Sequence, residues 1–339
     1  MGHRNEDVIL ECDGIWKVFG HGAENFLSQL GPDPTPQDFA ARNWVAGLRD
    51  VNLKIRRGEI FVIMGLSGSG KSTLVRAMTG LHKLNEGRML IGDVDIARLN
   101  ERKLATLRRS KISMVFQDFA LLPHLTVLGN IAFPLRVQGV KRAERETIAR
   151  SMIELVGLEG REGYYPDELS GGQQQRVGIA RSLTTQPDIW FLDEPFSALD
   201  PLIRQDMQSE LLRLQGVLSK TIVFITHDFD EAVRLADRIA VMESGRVVQV
   251  GTPEDLVLAP ADDYIARFTG KIPKNKVLRV RSIMTPDRPP SNEAPLPADA
   301  RLTEIAEQVI AGDGDHPVVE ADGTLIGSLN RAALAAYMV

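Results

Sequence analysis

The sequence predicts an α/β fold built on a mainly parallel sheet, and three observations carry that prediction. Continuous apolar runs stand at Ile60-Phe61-Val62-Ile63-Met64, at Ile189-Trp190-Phe191-Leu192 and over residues 221–226, the pattern of strands covered on both faces. Between them lie segments with helical spacing, such as residues 140–157, as a βαβ alternation requires. Each run stops at a glycine or a polar residue, which puts the reactive side chains at strand C-termini, where open α/β sheets hold their ligands.

The whole-chain properties narrow the class. With 339 residues the chain has room for one large domain and a small appendage. A net charge of −5 argues against a nucleic-acid-binding basic face, so no nucleic acid is expected as a partner. Cys12 is the only cysteine, which excludes an intrachain disulfide and any cysteine-cluster metal site. No apolar stretch reaches bilayer-spanning length, and residues 1–7 lack the apolar core of a signal peptide. A cytosolic setting, free or held to a membrane by a partner, follows as the expectation.

Taken in order, residues 8–19 alternate loosely enough for a first strand ending at Phe19. Residues 21–47, with Pro32, Pro34 and Pro36 among short apolar pieces, read as an inserted, partly helical loop rather than core. Residues 51–55 and 60–64 are two strands around the Arg57-Gly58-Glu59 turn. They lead into Gly65-Leu66-Ser67-Gly68-Ser69-Gly70-Lys71-Ser72-Thr73. The full GxxxxGK[ST] pattern between strand and helix is a P-loop: backbone N–H groups curl around phosphate oxygens, Lys71 bridges the β- and γ-phosphates, and the Ser72 hydroxyl ligates Mg²⁺. The helix that starts there adds its positive end to the same phosphates.

Beyond the P-loop, residues 89–91 form a short strand, and residues 112–116 form another that ends at Gln117. The charges Lys141, Arg142, Glu144, Arg145 and Glu146 read as the solvated face of a helix over 140–157. Residues 271–276 are a basic, proline-containing joint, giving a main domain over 1–270 and a linker over 271–281. A small unit over 282–339 follows, with a helix at 302–310, a hairpin around Asp322-Gly323 and a closing helix at 331–338.

Four groups carry the chemistry. Asp193 ends an apolar run, and its carboxylate is placed to hold Mg²⁺ while Glu194 polarises the attacking water. His227 ends another run, where it would hydrogen-bond a phosphate and order the water rather than act as the main base. Gln117 repeats the arrangement on a third strand, and its amide oxygen can ligand the metal. Leu169-Ser170-Gly171-Gly172-Gln173 opens a helix with bare N–H groups and a hydroxyl, a second anion site beside one that already exists. Two copies of the chain placed head to tail would let each such segment close over the other's γ-phosphate. Taken alone, the segment is better read as a helix N-cap with a flexible glycine pair.

The joint occurrence and order of residues 65–73, Gln117, 169–173, Asp193-Glu194, Ser197-Ala198-Leu199-Asp200 and His227 resembles the ATP-binding subunits of ABC transporters, over about residues 8–270. The resemblance implies a P-loop ATPase domain with a helical subdomain over about 93–178, ATP and Mg²⁺ as ligands, Phe19 stacked on adenine in preference to Trp16, and Glu194 as general base. It also implies that residues 197–200 communicate across a homodimer.

A narrower likeness is to the subgroup serving glycine betaine, proline betaine and choline uptake, carried by residues 60–70, the insertion, Met114-Val115-Phe116-Gln117-Asp118-Phe119-Ala120-Leu121-Leu122-Pro123-His124 and the tail. That likeness places residues 119–134 beside a cleft for a short helix of a membrane permease, although their apolar residues also suit ordinary core. The tail, opening with Val280-Arg281-Ser282-Ile283-Met284-Thr285, resembles a single CBS module.

The implied function is ATP hydrolysis at the cytoplasmic face of a membrane. There it drives import of a quaternary ammonium solute delivered by a separate extracytoplasmic binding protein. An importer of an amino acid or polyamine, a non-transport ABC protein and a nucleotide-responsive regulator are the competing readings.

Overall fold

The structure is a computed structural model that describes residues 7–31, 34–197, 199–270, 273–287 and 291–338. Residues 1–6 of the N-terminus, Pro32 of the insertion, Ala198 and Lys271 of the joint lie outside the described residues. The chain divides into two compact units, one of residues 1–231 and 235–248, the other of residues 232–234 and 249–339.

The first unit opens with β1 (Val8–Phe19), the short helices α1 (Phe26–Leu30) and α2 (Pro36–Ala40), and β2 (Val45–Arg56). The apolar run β3 (Ile60–Met64) is buried along its whole length and feeds α3 (Lys71–Met78). Then come β4 (Glu86–Ile91), β5 (Val94–Asp95), α4 (Glu101–Ser110) and β6 (Ile112–Val115). The helices α5 (Val127–Val137), α6 (Arg142–Leu155) and α7 (Gly171–Leu183) follow. The chain continues through β7 (Ile189–Asp193), α8 (Pro201–Leu218), β8 (Thr221–Thr226), α9 (Phe229–Leu235), β9 (Arg238–Glu243) and β10 (Arg246–Gly251), with α9 and β10 each contributing residues to both units.

Two sheets result. A six-stranded sheet has the order β10-β9-β3-β8-β7-β6, with β9, β8, β7 and β6 joined by parallel pairings through β3. A four-stranded sheet has the order β2-β1-β4-β5 and is antiparallel. The predicted parallel core is therefore the six-stranded sheet, and a second, antiparallel sheet accompanies it.

The insertion departs from expectation. Phe26, Phe39 and Trp44 are buried with Trp16 and Val18 in a small core of their own, and the Trp16 and Phe26 rings lie 5.1 Å apart. The helical part of the expected insertion takes the form of the two short helices, the second started by the Thr35–Asp38 capping box with Pro36 in the first turn. Strand β2 begins at Val45, inside the expected insertion, because the left-handed Asp50 (φ 48°) interrupts its alternation without ending its pairing.

Residues 119–134 are divided between interior and surface. Phe119, Val127, Ile131 and Ala132 are buried, whereas Pro123 and His124 are exposed. Cys12 is buried in β1, and burial pushes its thiol well above the ordinary range.

The second unit comprises α10 (Pro253–Leu258), α11 (Asp263–Thr269), α12 (Lys274–Val277), α13 (Val280–Ile283), β11 (Leu296–Pro297), α14 (Leu302–Ala311), β12 (His316–Val319), β13 (Leu325–Leu329) and α15 (Arg331–Ala335). Strand β12 pairs parallel with β11 and antiparallel with β13. Leu278 and Val280, within the expected linker, are fully buried in its core with Leu296, Leu302, Val309 and Val318. An isolated apolar pair in a basic stretch gives no periodic signal, so sequence alone reads it as connection.

Candidate functional site

Parallel pairing builds the site. Met64 at the end of β3 is in register with Thr226 at the end of β8, Asp193 at the end of β7 with Ile225, and Val115 at the end of β6 with Leu192. Along one sheet edge the chain thus presents, in order, the P-loop, His227, Asp193-Glu194 and Gln117.

The P-loop backbone needs its glycines. Gly65 (φ 150°) and Gly70 (φ 103°) lie in the region that L side chains avoid. A Cβ on Gly65 would strike the Met242 carbonyl oxygen, and one on Gly70 the Gly47 carbonyl oxygen. Gly68 (φ 79°) faces open space, and Ser67 and Ser72 are exposed, with Thr73 half-buried. The Lys71 side chain is buried, and its Nζ donates to the carbonyl oxygens of Gly65 at 2.8 Å and Leu66 at 3.0 Å. Burial pulls the Lys71 ammonium below its ordinary range, while Glu194 and Asp193 pull it back.

Glu194 is held in an unusual conformation. Its φ is 44°, its N–H donates to Ile225 O at 3.1 Å, and its own carbonyl accepts from Ser197 N at 3.2 Å and Ser197 Oγ at 3.0 Å. A left-handed non-glycine residue costs backbone energy and is seen where neighbours over-determine it. The result brings Oε2 to 3.2 Å from His227 Nδ1. Asp193 beside it is raised above the usual carboxylate range by burial and by Glu194, against Arg76 and Lys71. Gln117 is exposed just past β6.

Ser170 caps α7. Its Oγ accepts from Gln173 N at 3.4 Å, and Gln173 Oε1 accepts from Ser170 N at 3.0 Å, a reciprocal capping box. Ser170 and Gly171 are exposed, and a Cβ on Gly172 would come 2.9 Å from Ile203 Cγ2, so close packing on α8 accounts for that glycine. Phe19, at the end of β1, is 36% exposed, with Lys17 Nζ 5.0 Å from its ring centroid and the His82 ring edge-on at 5.5 Å. Trp16 is buried and offers no stacking face.

The donor set suits a magnesium nucleotide. Mg²⁺ favours one or two carboxylates and hydroxyls alongside phosphates over an all-protein cage. Among the described residues no group of three or more His, Cys, Asp or Glu forms such a cage, while Ser72, Asp193 and Gln117 offer the required oxygens.

Sequence reasoning missed the supports behind these groups. Glu231, buried on α9, accepts from Thr226 Oγ1 at 2.7 Å, and Thr226 Oγ1 in turn accepts from Asp228 N at 2.9 Å, so both neighbours of His227 are tied down. Burial raises the Glu231 carboxyl. The Glu231 position four residues past His227 was the only signal available.

The chain matches the ABC transporter family over residues 48–197. It is 51% identical over 323 residues, 95% of each chain, to the trimethylamine N-oxide transport system ATP-binding protein TmoW of Ruegeria pomeroyi. It is 47% identical over 277 residues to the glycine betaine/proline betaine transport system ATP-binding protein ProV of Escherichia coli, covering 81% of this chain and 69% of that one. Among solved structures, a dimeric ATP-binding cassette in a post-hydrolysis state bound to ADP and Pi superposes with a TM-score of 0.60 at 33% identity, over 72% of this chain and 98% of that one. With a P-loop, a carboxylate pair and a histidine on one sheet edge, and relatives aligned along nearly its full length, the chain belongs to the ABC transporter family as an ATP-hydrolysing, ATP-binding subunit.

Proposed function

We propose that this subunit powers import of a small N-methylated solute of the trimethylamine N-oxide, glycine betaine, proline betaine and choline class. The observation that carries the reading is the two-way 95% coverage by a trimethylamine N-oxide transport subunit. A glycine betaine/proline betaine subunit, by contrast, is matched over 69% of its own length. Recognition of the methylated nitrogen by an aromatic cage belongs to a separate solute-binding protein, and this chain supplies only the driving force. Membrane-spanning permease subunits of the same transport system complete the machine and hold this one at the cytoplasmic face, a reading supported by relatives that are ATP-binding subunits of transport systems.

In the proposed cycle, Gly65, Ser67, Gly68, Gly70, Lys71, Ser72 and Thr73 hold the triphosphate, and Phe19 stacks on adenine. Ser72, Gln117 and Asp193 hold Mg²⁺, which neutralises charge on the phosphates. Glu194 accepts the proton of the attacking water, and His227, 3.2 Å from it, keeps that carboxylate and the phosphate in register. Ser170, Gly171, Gly172 and Gln173 of a second copy close the pocket: the capping box takes up the N–H groups of Ser170 and Gln173, and the glycine N–H groups of that first helical turn are the ones turned toward the partner's phosphate. The dimer closes on ATP and reopens after hydrolysis, moving the permease between its two states. The C-terminal unit, a three-stranded sheet with flanking helices, fits a single CBS-like module.

Two experiments test this. Deleting the gene should abolish uptake of at least one labelled solute among trimethylamine N-oxide, glycine betaine and choline, and unchanged uptake of all three refutes the substrate class. A heterodimer of Ser170→Arg and Lys71→Ala protomers should retain one intact site, whereas sites confined to single protomers predict damage to both.

A further inference from the structure

We propose that Arg181 is a positioning residue for hydrolysis, holding the backbone kink that presents Gln117 to the phosphates. The inference rests on the proposed role of Gln117 and adds a residue that the motifs do not include.

The loop after β6 leaves Gln117 and Asp118 exposed and then turns sharply through Phe119 (φ 58°) and Ala120 (φ 45°). Two successive non-glycine residues in the left-handed region are uncommon, and a phenylalanine there especially so. Such a conformation persists only where surrounding groups enforce it. Arg181 on α7 is the enforcing group. Its two terminal nitrogens donate to Phe119 O and Ala120 O, each at 2.7 Å, across 62 and 61 residues of sequence.

The planar fork holds the two neighbouring carbonyls at a fixed spacing, one on each terminal nitrogen, whereas the single ammonium of a lysine on its flexible stem would fix the pair less rigidly. Burial draws the guanidinium below its ordinary range. Arg181 is half-buried, so its guanidinium is only partly desolvated, and the two charge-assisted bonds offset that cost. Arg181 also stands on the helix that Ser170 caps, so the loop holding Gln117 and the segment that would meet a partner's phosphate share one rigid element.

The test is a double-mutant cycle on full-length protein, following Mg-ATP turnover and nucleotide affinity for Arg181→Lys, Arg181→Ala, Gln117→Ala and the two doubles. If Arg181 acts through Gln117, each Arg181 variant lowers kcat by about 10–10²-fold, the effect of misplacing a catalytic group by about 1 Å. KM for ATP should change less than about 2-fold, and added guanidinium should restore part of the turnover of Arg181→Ala. In the Gln117→Ala background the same substitutions should then cost little more, because the shared pathway is already lost.

Losses that multiply across the pair, or a kcat that falls only in step with the folded fraction measured by circular dichroism, overturn the proposal. Should Gln117→Ala alone leave turnover unchanged, the assignment of Gln117 fails and the proposal fails with it. A normal Gln117 effect with multiplying losses, by contrast, leaves the assignment standing and removes only Arg181's role. Arg181→Lys keeps charge and stem packing, so the cycle remains readable if Arg181→Ala does not fold.

Discussion

Asn130 is completely buried on α5, and its amide is the second clamp on the loop that follows Gln117. Its Oδ1 accepts from Leu122 N at 2.8 Å, and its Nδ2 faces the carbonyl oxygens of Leu122, Leu125 and Thr126 at 3.0, 2.9 and 3.2 Å. One accepted bond and two N–H donors amount to three satisfied hydrogen bonds. At about 1 kcal/mol net each, plus about 1–3 kcal/mol for a stranded Leu122 N–H, Asn130→Ala should cost about 4–6 kcal/mol.

The assay is unusually direct. Trp16, Trp44 and Trp190 are the only tryptophans and all lie in the first unit, so selectively excited tryptophan fluorescence follows unfolding of that unit without signal from the other. A loss of this size should lower its midpoint by on the order of 10 °C. Asn130→Asp should fare no better near neutrality, because a carboxylate cannot donate to three carbonyls and its charge would be buried among their oxygens. A loss below about 1 kcal/mol for Asn130→Ala would show that the loop carries its own conformation and that the bond count misjudges the clamp.

Three further outcomes follow from the site. Glu194→Gln should keep ATP binding and slow turnover by about 10²–10⁴-fold in a phosphate-release assay, as loss of a general base does, and near-normal turnover would remove that role. Lys71→Ala should lose nucleotide affinity in a fluorescent-analogue titration, since the buried ammonium is the one cation inside the P-loop, and undiminished binding would contradict the assignment. Asp193 is held above the usual carboxylate range, so its proton stays on to a higher pH than an ordinary aspartate's. Mg-dependent turnover should therefore rise with pH through that raised value, and Asp193→Asn should remove this acid limb along with most of the metal response. By the same sign, burial of Asp193 favours the metal-free fold below the ordinary carboxylate pKa, and the contribution fades as pH climbs through the raised one.

Much of this site is legible in sequence because it is assembled from strand ends. Ile60–Met64, Ile189–Asp193 and Thr221–Thr226 announce themselves as buried runs, and parallel pairing then aligns whatever follows each one. The supports are a different matter. Arg181 reaches carbonyls more than 60 residues away, and Asn130 and Glu231 act through hydrogen bonds in the interior, so neither periodicity nor local spacing marks them. The insertion was misread because its apolar residues are too sparse to suggest a core until Trp16 and Val18 of a neighbouring strand complete it. Residues 169–173 are legible as a helix start, and the Ser170–Gln173 capping box explains that start fully. Their proposed role toward a second copy is a contact between chains, which no spacing within one chain marks.

The lone cysteine has a practical corollary. A thiol sealed inside β1 and kept protonated is a poor nucleophile, so alkylating reagents and spin labels should pass this chain by. Sulfhydryls introduced at the exposed Ser67 and Ser170 would then react against a blank background. Bifunctional maleimides could capture one copy against another during turnover, with no need to strip the native sequence first.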